Sequence, residues 1–192
     1  MAKKIILASS SPRRKLLLEQ WGVPFEIMPC SLGEENINFP GEPGIKVEKL
    51  ALMKALDVAQ RTENSLILGA DTIVVLDGLI LGKPVNDEDA YSMLGKLSGK
   101  CHEVLTGVAM VDSEKGIFKT GHEKTKVYFR EISDKEIREY IYTGEPKDKA
   151  GAYAIQGKGA LFVEKIDGSY TNVVGLPYEL VQSMLKEFGI II

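Results

Sequence analysis

Hydroxyl and guanidinium side chains cluster near the start of the sequence, in the stretch LASSSPRR. Ser9 and Ser10 offer hydroxyl donors, and Arg13 and Arg14 offer forked guanidinium donors that suit phosphate oxygens. The helix predicted to follow adds unpaired N–H groups and a positive dipole end, both of which favour an anion. The stretch therefore predicts an anion site, or else a helix capped by Ser11 whose arginines are solvated.

An aspartate interrupts an apolar run in the stretch LILGADTIVVL. An ionised carboxylate inside an apolar strand is costly unless a cation, a metal ion or hydrogen bonds compensate it. Gly69 permits close approach of another backbone, and Thr72 adds a hydroxyl next to the acid. The pattern favours a functional acid at Asp71; the alternative is a structural acid at a strand end, bonded to backbone donors.

Two lysines are candidate partners for Asp71. Lys54 falls on the inward stripe of a helical pattern from Ile45 to about Arg61. Lys83 follows the turn signal Asp77-Gly78, and the returning strand of that hairpin leads it back towards Asp71. Each lysine alone is more typical of a solvated side chain. With the two arginines, they predict a polyanion site with a general base, which suits attack of water on a phosphate ester.

Two further sets of polar residues fall in predicted loops. Residues 30 to 44 are polar, contain two prolines and three glycines, and include Glu34 and Glu35. A carboxylate from this loop near Asp71 would complete a magnesium site with triphosphate oxygens and water; the alternative is a pair of surface acids. Gln156 lies among glycines, where its amide would read a base edge or simply serve a turn.

The elements that position these residues alternate irregularly between strands and helices. Helices are predicted at 13–20, 45–61, 86–97, 133–142 and 178–188. Strands are predicted at 4–8, in a hairpin within 65–84, at 103–112 and 116–130, and on both sides of an Asp-Gly turn at 167–168. We expect one α/β domain over residues 1–192, with a mixed sheet flanked by helices.

Composition and missing motifs exclude several classes of function. The chain has 192 residues and a net charge of −3, which argues against a general nucleic-acid or acidic-membrane binder. No apolar run is long enough to predict a membrane span. The two cysteines, Cys30 and Cys101, lie far apart, so we expect structural thiols in the reducing cytoplasm. The sequence lacks the P-loop, Rossmann, HExxH and catalytic-serine motifs.

Seven features, in order from residue 5 to about 185, resemble the Maf family of nucleoside triphosphate pyrophosphatases. They are LASSSPRR, Glu34, Lys54, LGADTIV, GKP at 82–84, DKAGAYAIQGKG and GSYTNVVGLP. The resemblance implies hydrolysis of a nucleotide between its α- and β-phosphates, with a divalent cation such as Mg²⁺ or Mn²⁺. It also implies an elongated α/β fold with a cleft between two lobes, usually as a homodimer.

Site roles follow from the resemblance position by position. Asp71 matches the catalytic acid, which accepts a proton from water. The phosphate-binding positions of the family match Ser9, Arg13, Arg14, Lys54 and Lys83. Glu34, together with Asp71, matches the carboxylates associated with the metal and the cleft. The positions linked to base choice match Arg13, Thr72 and Gln156.

The resemblance also extends to a subgroup. Family members that prefer dTTP and UTP are similar to this chain in SPRR, IQG and GSYxxVVGLP, whereas a sibling group acting on 7-methyl-GTP has glutamate in place of Gln156. The expected function is therefore a house-cleaning pyrophosphatase for dTTP, UTP and modified pyrimidine triphosphates. The alternatives are a 7-methyl-GTP pyrophosphatase and a nucleotide-binding regulator of septum formation in cell division.

Overall fold

The computed structural model describes residues 3–32 and 41–191. The strands are β1 (Lys4–Leu7), β2 (Phe25–Ile27), β3 (Ser65–Leu76), β4 (Leu79–Leu81), β5 (Cys101–Asp112), β6 (Phe118–Phe129) and β7 (Val163–Asp167). The helices are α1 (Pro12–Gln20), α2 (Pro43–Ala59), α3 (Asp87–Leu97), α4 (Asp134–Tyr142), α5 (Tyr170–Val174) and α6 (Tyr178–Glu187). Three 3₁₀ turns cover Glu145–Asp148, Ala150–Ala152 and Lys158–Phe162.

The strands of the described residues join in one mixed sheet of order β2-β1-β3-β5-β6-β7, with β4 paired to β3. β1 runs parallel to both β2 and β3, whereas β3 with β4 and β6 with β7 are antiparallel. The predicted fold class, a mixed sheet in an α/β protein, is confirmed. The elongated shape, the cleft and the single domain over residues 1–192 stay predictions.

Local sequence signals account for several of these elements. Asp77 and Gly78 have φ of 50° and 81°, as the predicted type I′ turn between β3 and β4 requires. The Asn86 side chain accepts the Asp89 N–H and caps α3. Ser133 and Glu136 form the predicted capping box of α4. This hairpin and these two helix starts are therefore specified by residues at the ends of the elements.

The short strand predicted after the turn at 167–168 is wrong, because Tyr170–Val174 forms α5. The Ser169 Oγ accepts the Asn172 N–H at 3.3 Å, which supports the first turn of the helix. The buried Asn172 side chain donates to Val104 O at 3.0 Å and to Thr125 Oγ1 at 2.8 Å. These tertiary bonds override the strand preference of the β-branched residues in this segment.

Strand β2 was not among the predicted elements. It has only three residues, Phe25–Ile27, and it pairs in parallel with β1 from Ile5↔Phe25 to Leu7↔Ile27. Three residues give no readable alternation of apolar and polar positions, so the pairing partner rather than the local sequence specifies this edge strand.

The described residues divide into two compact units. The first unit is drawn from Met1–Asp71, Thr106–Glu123 and Gly175–Ile192, and the second from Thr72–Leu105 and Lys124–Val174. Each has its own apolar core. The first core includes Ile6, Ala51, Ala55, Val58, Ile67 and Val111. The second includes Leu94, Leu97, Val127, Phe129, Tyr153 and Phe162.

No helix among the described residues is long and apolar enough to cross a membrane. Cys30 and Cys101 are both free thiols, and Cys101 is exposed.

Candidate functional site

The serine cluster in the first unit follows β1 directly and opens α1. The parallel register of β1 and β3 pairs Leu7 with Leu68, and the Ala8 N–H continues it by donating to Leu68 O at 2.8 Å. Ser9 is buried, with 8% of its surface exposed, and its Oγ accepts the Ser11 N–H at 3.2 Å. Ser11 is the N-cap residue of α1, but its side chain makes no capping hydrogen bond to the described backbone.

The two arginines occupy the first turn of α1 after Pro12, and both are half-buried. Arg14 donates from Nη1 to Ser9 Oγ at 3.2 Å and from Nε to Gly175 O at 2.8 Å. The Arg14 guanidinium is therefore fixed beside Ser9 at the positive end of the helix dipole. Both residues were predicted to bind phosphate, and the fold brings them together.

Helix α2 packs closely against the sheet because two glycines remove the side chains in its path. A Cβ on Gly69 in β3 would lie 2.3 Å from Ala51 O, and a Cβ on Gly107 in β5 would lie 2.3 Å from Val47 O. The sequence predicted a close backbone approach at Gly69, whereas Gly107 was not singled out. The helix axis is thereby held near β3, which carries Asp71, and near β5.

The half-buried acid of β3 pairs with a lysine of α2. Asp71 lies two residues beyond Gly69 on β3, so both positions face the same side of the sheet, where α2 packs. Lys54 Nζ lies 2.7 Å from Asp71 Oδ1, and Lys54 is 8% exposed. Lys54 is therefore the cation that the apolar surroundings of Asp71 demanded. Removing either partner would leave a poorly solvated charge.

Thr72, Lys83 and Gln156 all belong to the second unit. The hairpin register ends at Val74↔Leu81, and carried two residues further it leads to Thr72 and Lys83. The Gly151 N–H donates to Gly82 O at 3.0 Å, which ties the segment before Gln156 to the segment of Lys83. Gln156 is exposed. Thr72 follows Asp71 directly on β3, whereas the position of Lys83 and Gln156 relative to Asp71 stays a prediction.

Glu34 and Glu35, predicted to lie in a loop near the site, fall outside the described residues. Within residues 3–32 and 41–191, no group of three or more His, Cys, Asp or Glu is arranged to hold a metal ion. Among the predicted metal ligands, the described carboxylate is Asp71. Because magnesium is commonly bound through one or two carboxylates with substrate phosphates and water, this donor fits such an ion only when a nucleotide supplies further oxygens.

Gly175 is a site residue that the sequence did not reveal by type. It acts through its carbonyl oxygen, which accepts from Arg14, and every residue type has that oxygen. Its φ of 117° does favour glycine. The stretch GSYTNVVGLP was noted only as part of the family resemblance, and its contact with LASSSPRR could not be read from either stretch alone.

A family model described as Maf-like protein matches residues 4–188. The chain belongs to the Maf family. Three curated Maf relatives are each named "dTTP/UTP pyrophosphatase". They come from Ruminiclostridium cellulolyticum (52% identical, covering 97% of this chain and 97% of the relative), Pelotomaculum thermopropionicum (50%, 97% and 97%) and Bacillus cereus strain G9842 (50%, 98% and 97%).

Among solved structures, a HAM1 protein from Coxiella burnetii is similar to this Maf chain. The identity is 15%, the match covers 67% of this chain and 73% of that chain, and the TM-score is 0.45.

Proposed function

We propose that this Maf protein hydrolyses dTTP and UTP to the nucleoside monophosphate and pyrophosphate. The observation that carries the proposal is the name shared by relatives about half identical over nearly the whole chain. The paired Lys54 and Asp71, and the Arg14 guanidinium beside Ser9, support it, because they supply a base and phosphate donors in one unit.

The start of α1 is the proposed seat of the triphosphate. Backbone N–H groups at the first turn of a helix, the Ser9 hydroxyl and the guanidinium groups of Arg13 and Arg14 are all donors for phosphate oxygens. Lys54 adds a cation from α2, and Lys83 is proposed to add another from the second unit. These positive groups would also stabilise the charge that develops on the leaving pyrophosphate.

Asp71 is the proposed general base. Its carboxylate accepts a proton from water as the water oxygen forms a bond to the α-phosphorus. The bond from the α-phosphorus to the oxygen bridging to the β-phosphate breaks, and pyrophosphate leaves with that oxygen. Lys54 Nζ, 2.7 Å from Oδ1, fixes the orientation of the carboxylate. A positioned base of this kind contributes about a hundredfold to ten-thousandfold in rate.

A divalent cation, Mg²⁺ or Mn²⁺, is proposed to be held by Asp71 and Glu34 together with phosphate oxygens. When bound, such an ion offsets the negative charge of the triphosphate and polarises its oxygens.

Base choice is proposed to rest on Arg13, Thr72 and Gln156. The pyrimidine ring of uracil or thymine presents carbonyl acceptors on either side of one N–H donor. An amide side chain, which both donates and accepts, matches that edge, and Gln156 carries such an amide on an exposed loop. A homodimer and a cytoplasmic location stay predictions.

Asp71→Asn tests the proposal most directly. The amide has nearly the same shape but cannot accept the proton, so turnover of UTP should fall by about a hundredfold or more. Binding of a non-hydrolysable UTP analogue should be retained, because the proposed phosphate donors at the start of α1 are unchanged. Pyrophosphate release and calorimetric titration measure the two quantities.

Asp77→Asn is the matched control for this test. It makes the same chemical change six residues along the same hairpin, at an exposed turn position with positive φ that asparagine tolerates. It should retain full turnover. Wild-type-like pyrophosphate release by Asp71→Asn would refute the role of Asp71. A wild-type protein that released pyrophosphate from 7-methyl-GTP but not from UTP would refute the substrate assignment.

A further inference from the structure

Two side chains hold the loop that carries Gln156 at both of its ends. Before Gln156, the Ala154 N–H donates to the Tyr140 hydroxyl at 3.1 Å. After it, the Lys158 N–H donates to Glu145 Oε2 at 3.1 Å, and the Gly159 N–H donates to Glu145 Oε1 at 3.2 Å. The segment from 154 to 159 is therefore a short span, with Gln156 between two fixed points.

The two holding side chains are bonded to each other. The Tyr140 hydroxyl donates to Glu145 Oε1 at 2.9 Å and accepts from Ala154. Tyr140 is 3% exposed, and burial raises the pKa of its hydroxyl well above the usual value, so it stays a donor to the carboxylate. We call Tyr140 and Glu145 the clamp pair. The clamp pair therefore holds the loop at both of its ends.

The loop backbone lies directly on the clamp pair. A Cβ on Gly157 would come within 2.5 Å of Glu145 Oε1, and a Cβ on Gly159 would come within 2.8 Å of the Tyr140 hydroxyl. An added side chain at Gly159 would also meet Ala154 O at 2.6 Å, so this position has no room for one, whereas at Gly157 it would displace the Glu145 carboxylate. The contact explains the glycines that flank this loop without reference to a ligand.

Neighbouring residues of the second unit hold the clamp pair in place. Tyr140 lies in the last turn of α4. The Glu145 N–H donates to Thr143 Oγ1 at 3.2 Å, and Pro146 in the turn that follows is buried. Tyr140 also packs edge-on against Phe162, with ring centroids 5.0 Å apart.

We propose that Tyr140 and Glu145 are positioning residues that set base choice by fixing the place of Gln156. The inference rests on the proposed function, in which Gln156 reads the pyrimidine edge. A side chain on an exposed loop discriminates between bases only if its backbone is held within a fraction of an ångström. The clamp pair provides that constraint, and neither of its members needs to touch the nucleotide.

The test compares Glu145→Gln and Tyr140→Phe with Gln156→Ala. Glu145→Gln keeps the shape but turns one acceptor oxygen into a donor, which opposes an N–H or the Tyr140 hydroxyl. Tyr140→Phe removes only the hydroxyl, so it keeps the proposal testable if the first variant folds poorly. Ser133→Ala is the matched control, since it weakens α4 through its cap without touching the loop.

Selectivity is the deciding measurement, taken as the ratio of kcat/KM for UTP to that for GTP. Both clamp variants should lower the ratio by about tenfold or more, mainly through KM for UTP, whereas Ser133→Ala should leave it unchanged. Combining Glu145→Gln with Gln156→Ala should lower it no further than Gln156→Ala alone, because the two act through one contact. The amide hydrogens of Lys158 and Gly159 should exchange faster in Glu145→Gln than in the control.

The remaining outcomes separate the two proposals. If Gln156→Ala lowers selectivity while the clamp variants slow all nucleotides equally, the clamp pair is only structural and this inference fails. If Gln156→Ala leaves selectivity unchanged, the inference fails although the enzyme remains a pyrophosphatase. If the wild-type protein releases pyrophosphate from no nucleotide, the proposed function itself fails, and this inference fails with it.

Discussion

Arg14 serves the fold and the proposed phosphate site at once. A guanidinium group has five N–H donors in a fixed plane, and its bonds to Gly175 O and Ser9 Oγ use two of them. The bond to Gly175 joins the beginning of the first unit to its last segment. A lysine would keep the charge but lose the planar fork, so charge and geometry are separable at this residue.

Arg14→Lys is expected to raise KM for UTP by about tenfold, because charge-assisted hydrogen bonds of fixed geometry are lost. Steady-state kinetics of pyrophosphate release measures the effect. Lys15→Gln is the control: Lys15 is the next residue on α1 and pairs with Glu19 across the exposed surface at 3.6 Å. It should leave KM unchanged. An unchanged KM in Arg14→Lys would remove Arg14 from the phosphate site.

Part of the candidate site could be predicted from the sequence, because some residue types require a particular kind of partner. A carboxylate in an apolar strand needs a cation, and Lys54 on the inward stripe of a helix supplied one at 2.7 Å. Glu145 shows no such need, since a glutamate in a polar turn with a proline is ordinary. Its role comes from contacts with residues 13 and 14 positions away, at Lys158 and Gly159, which only the folded loop creates.

The distance between Lys54 and Asp71 depends on where helix α2 lies against the sheet. The Lys54 to Asp71 contact exists because the helix lies against β3 and β5 at Gly69 and Gly107. Neither glycine has a positive φ, so each is required by space and not by backbone conformation. The helix can lie this close to the sheet only because neither glycine has a side chain.

Gly69→Ala is expected to destabilise the protein by about 1–3 kcal/mol, because its methyl group meets a backbone carbonyl that cannot move alone. It should also lower turnover, since α2 carries Lys54 away from Asp71. Gly95→Ala is the matched control: Gly95 lies inside α3 with nothing within 4 Å of an added Cβ. That change should stabilise by about 0.5–1 kcal/mol. Chemical denaturation checks both signs, and a neutral Gly69→Ala would contradict the close packing.

Elements whose ends are specified by neighbouring residues could be predicted from the sequence. Asp77-Gly78 specified the hairpin, and Ser133 with Glu136 specified the start of α4. Tyr170–Val174 misled because its β-branched residues favour a strand, whereas Asn172 is bonded to Val104 and Thr125 from other elements. The prediction failed in a segment where hydrogen bonds to distant residues outweigh the local preference for a strand.

The second unit contains a buried histidine that makes the stability of the protein depend on pH. His102 is 1% exposed, and its Nε2 lies 2.7 Å from the Tyr153 hydroxyl. Its Nδ1 has no hydrogen-bond partner among the described residues. Burial lowers the pKa of His102 from 6.5 to about 4. The ring is therefore neutral in the folded protein at neutral pH.

The free energy of unfolding should fall as the pH is lowered from about 6.5 to about 4. In this window the unfolded chain binds a proton on His102 that the folded protein refuses, so the stabilisation present above pH 6.5 is lost. The loss attributable to this residue is of order 3 kcal/mol. Urea titrations at several pH values should show a steeper decline for the wild type than for His102→Gln. Equal declines would contradict a neutral buried imidazole.

The arrangement of the first unit also bears on synthesis of the protein. That unit draws on Met1–Asp71 and again on Gly175–Ile192, which brings Gly175 and the core residues Val181, Met184 and Leu185. A chain emerging from the ribosome contains Ser9 and Asp71 early, but Arg14 finds its acceptor only after Gly175 has been synthesised. Nascent chains stopped before residue 175 should therefore be catalytically inactive.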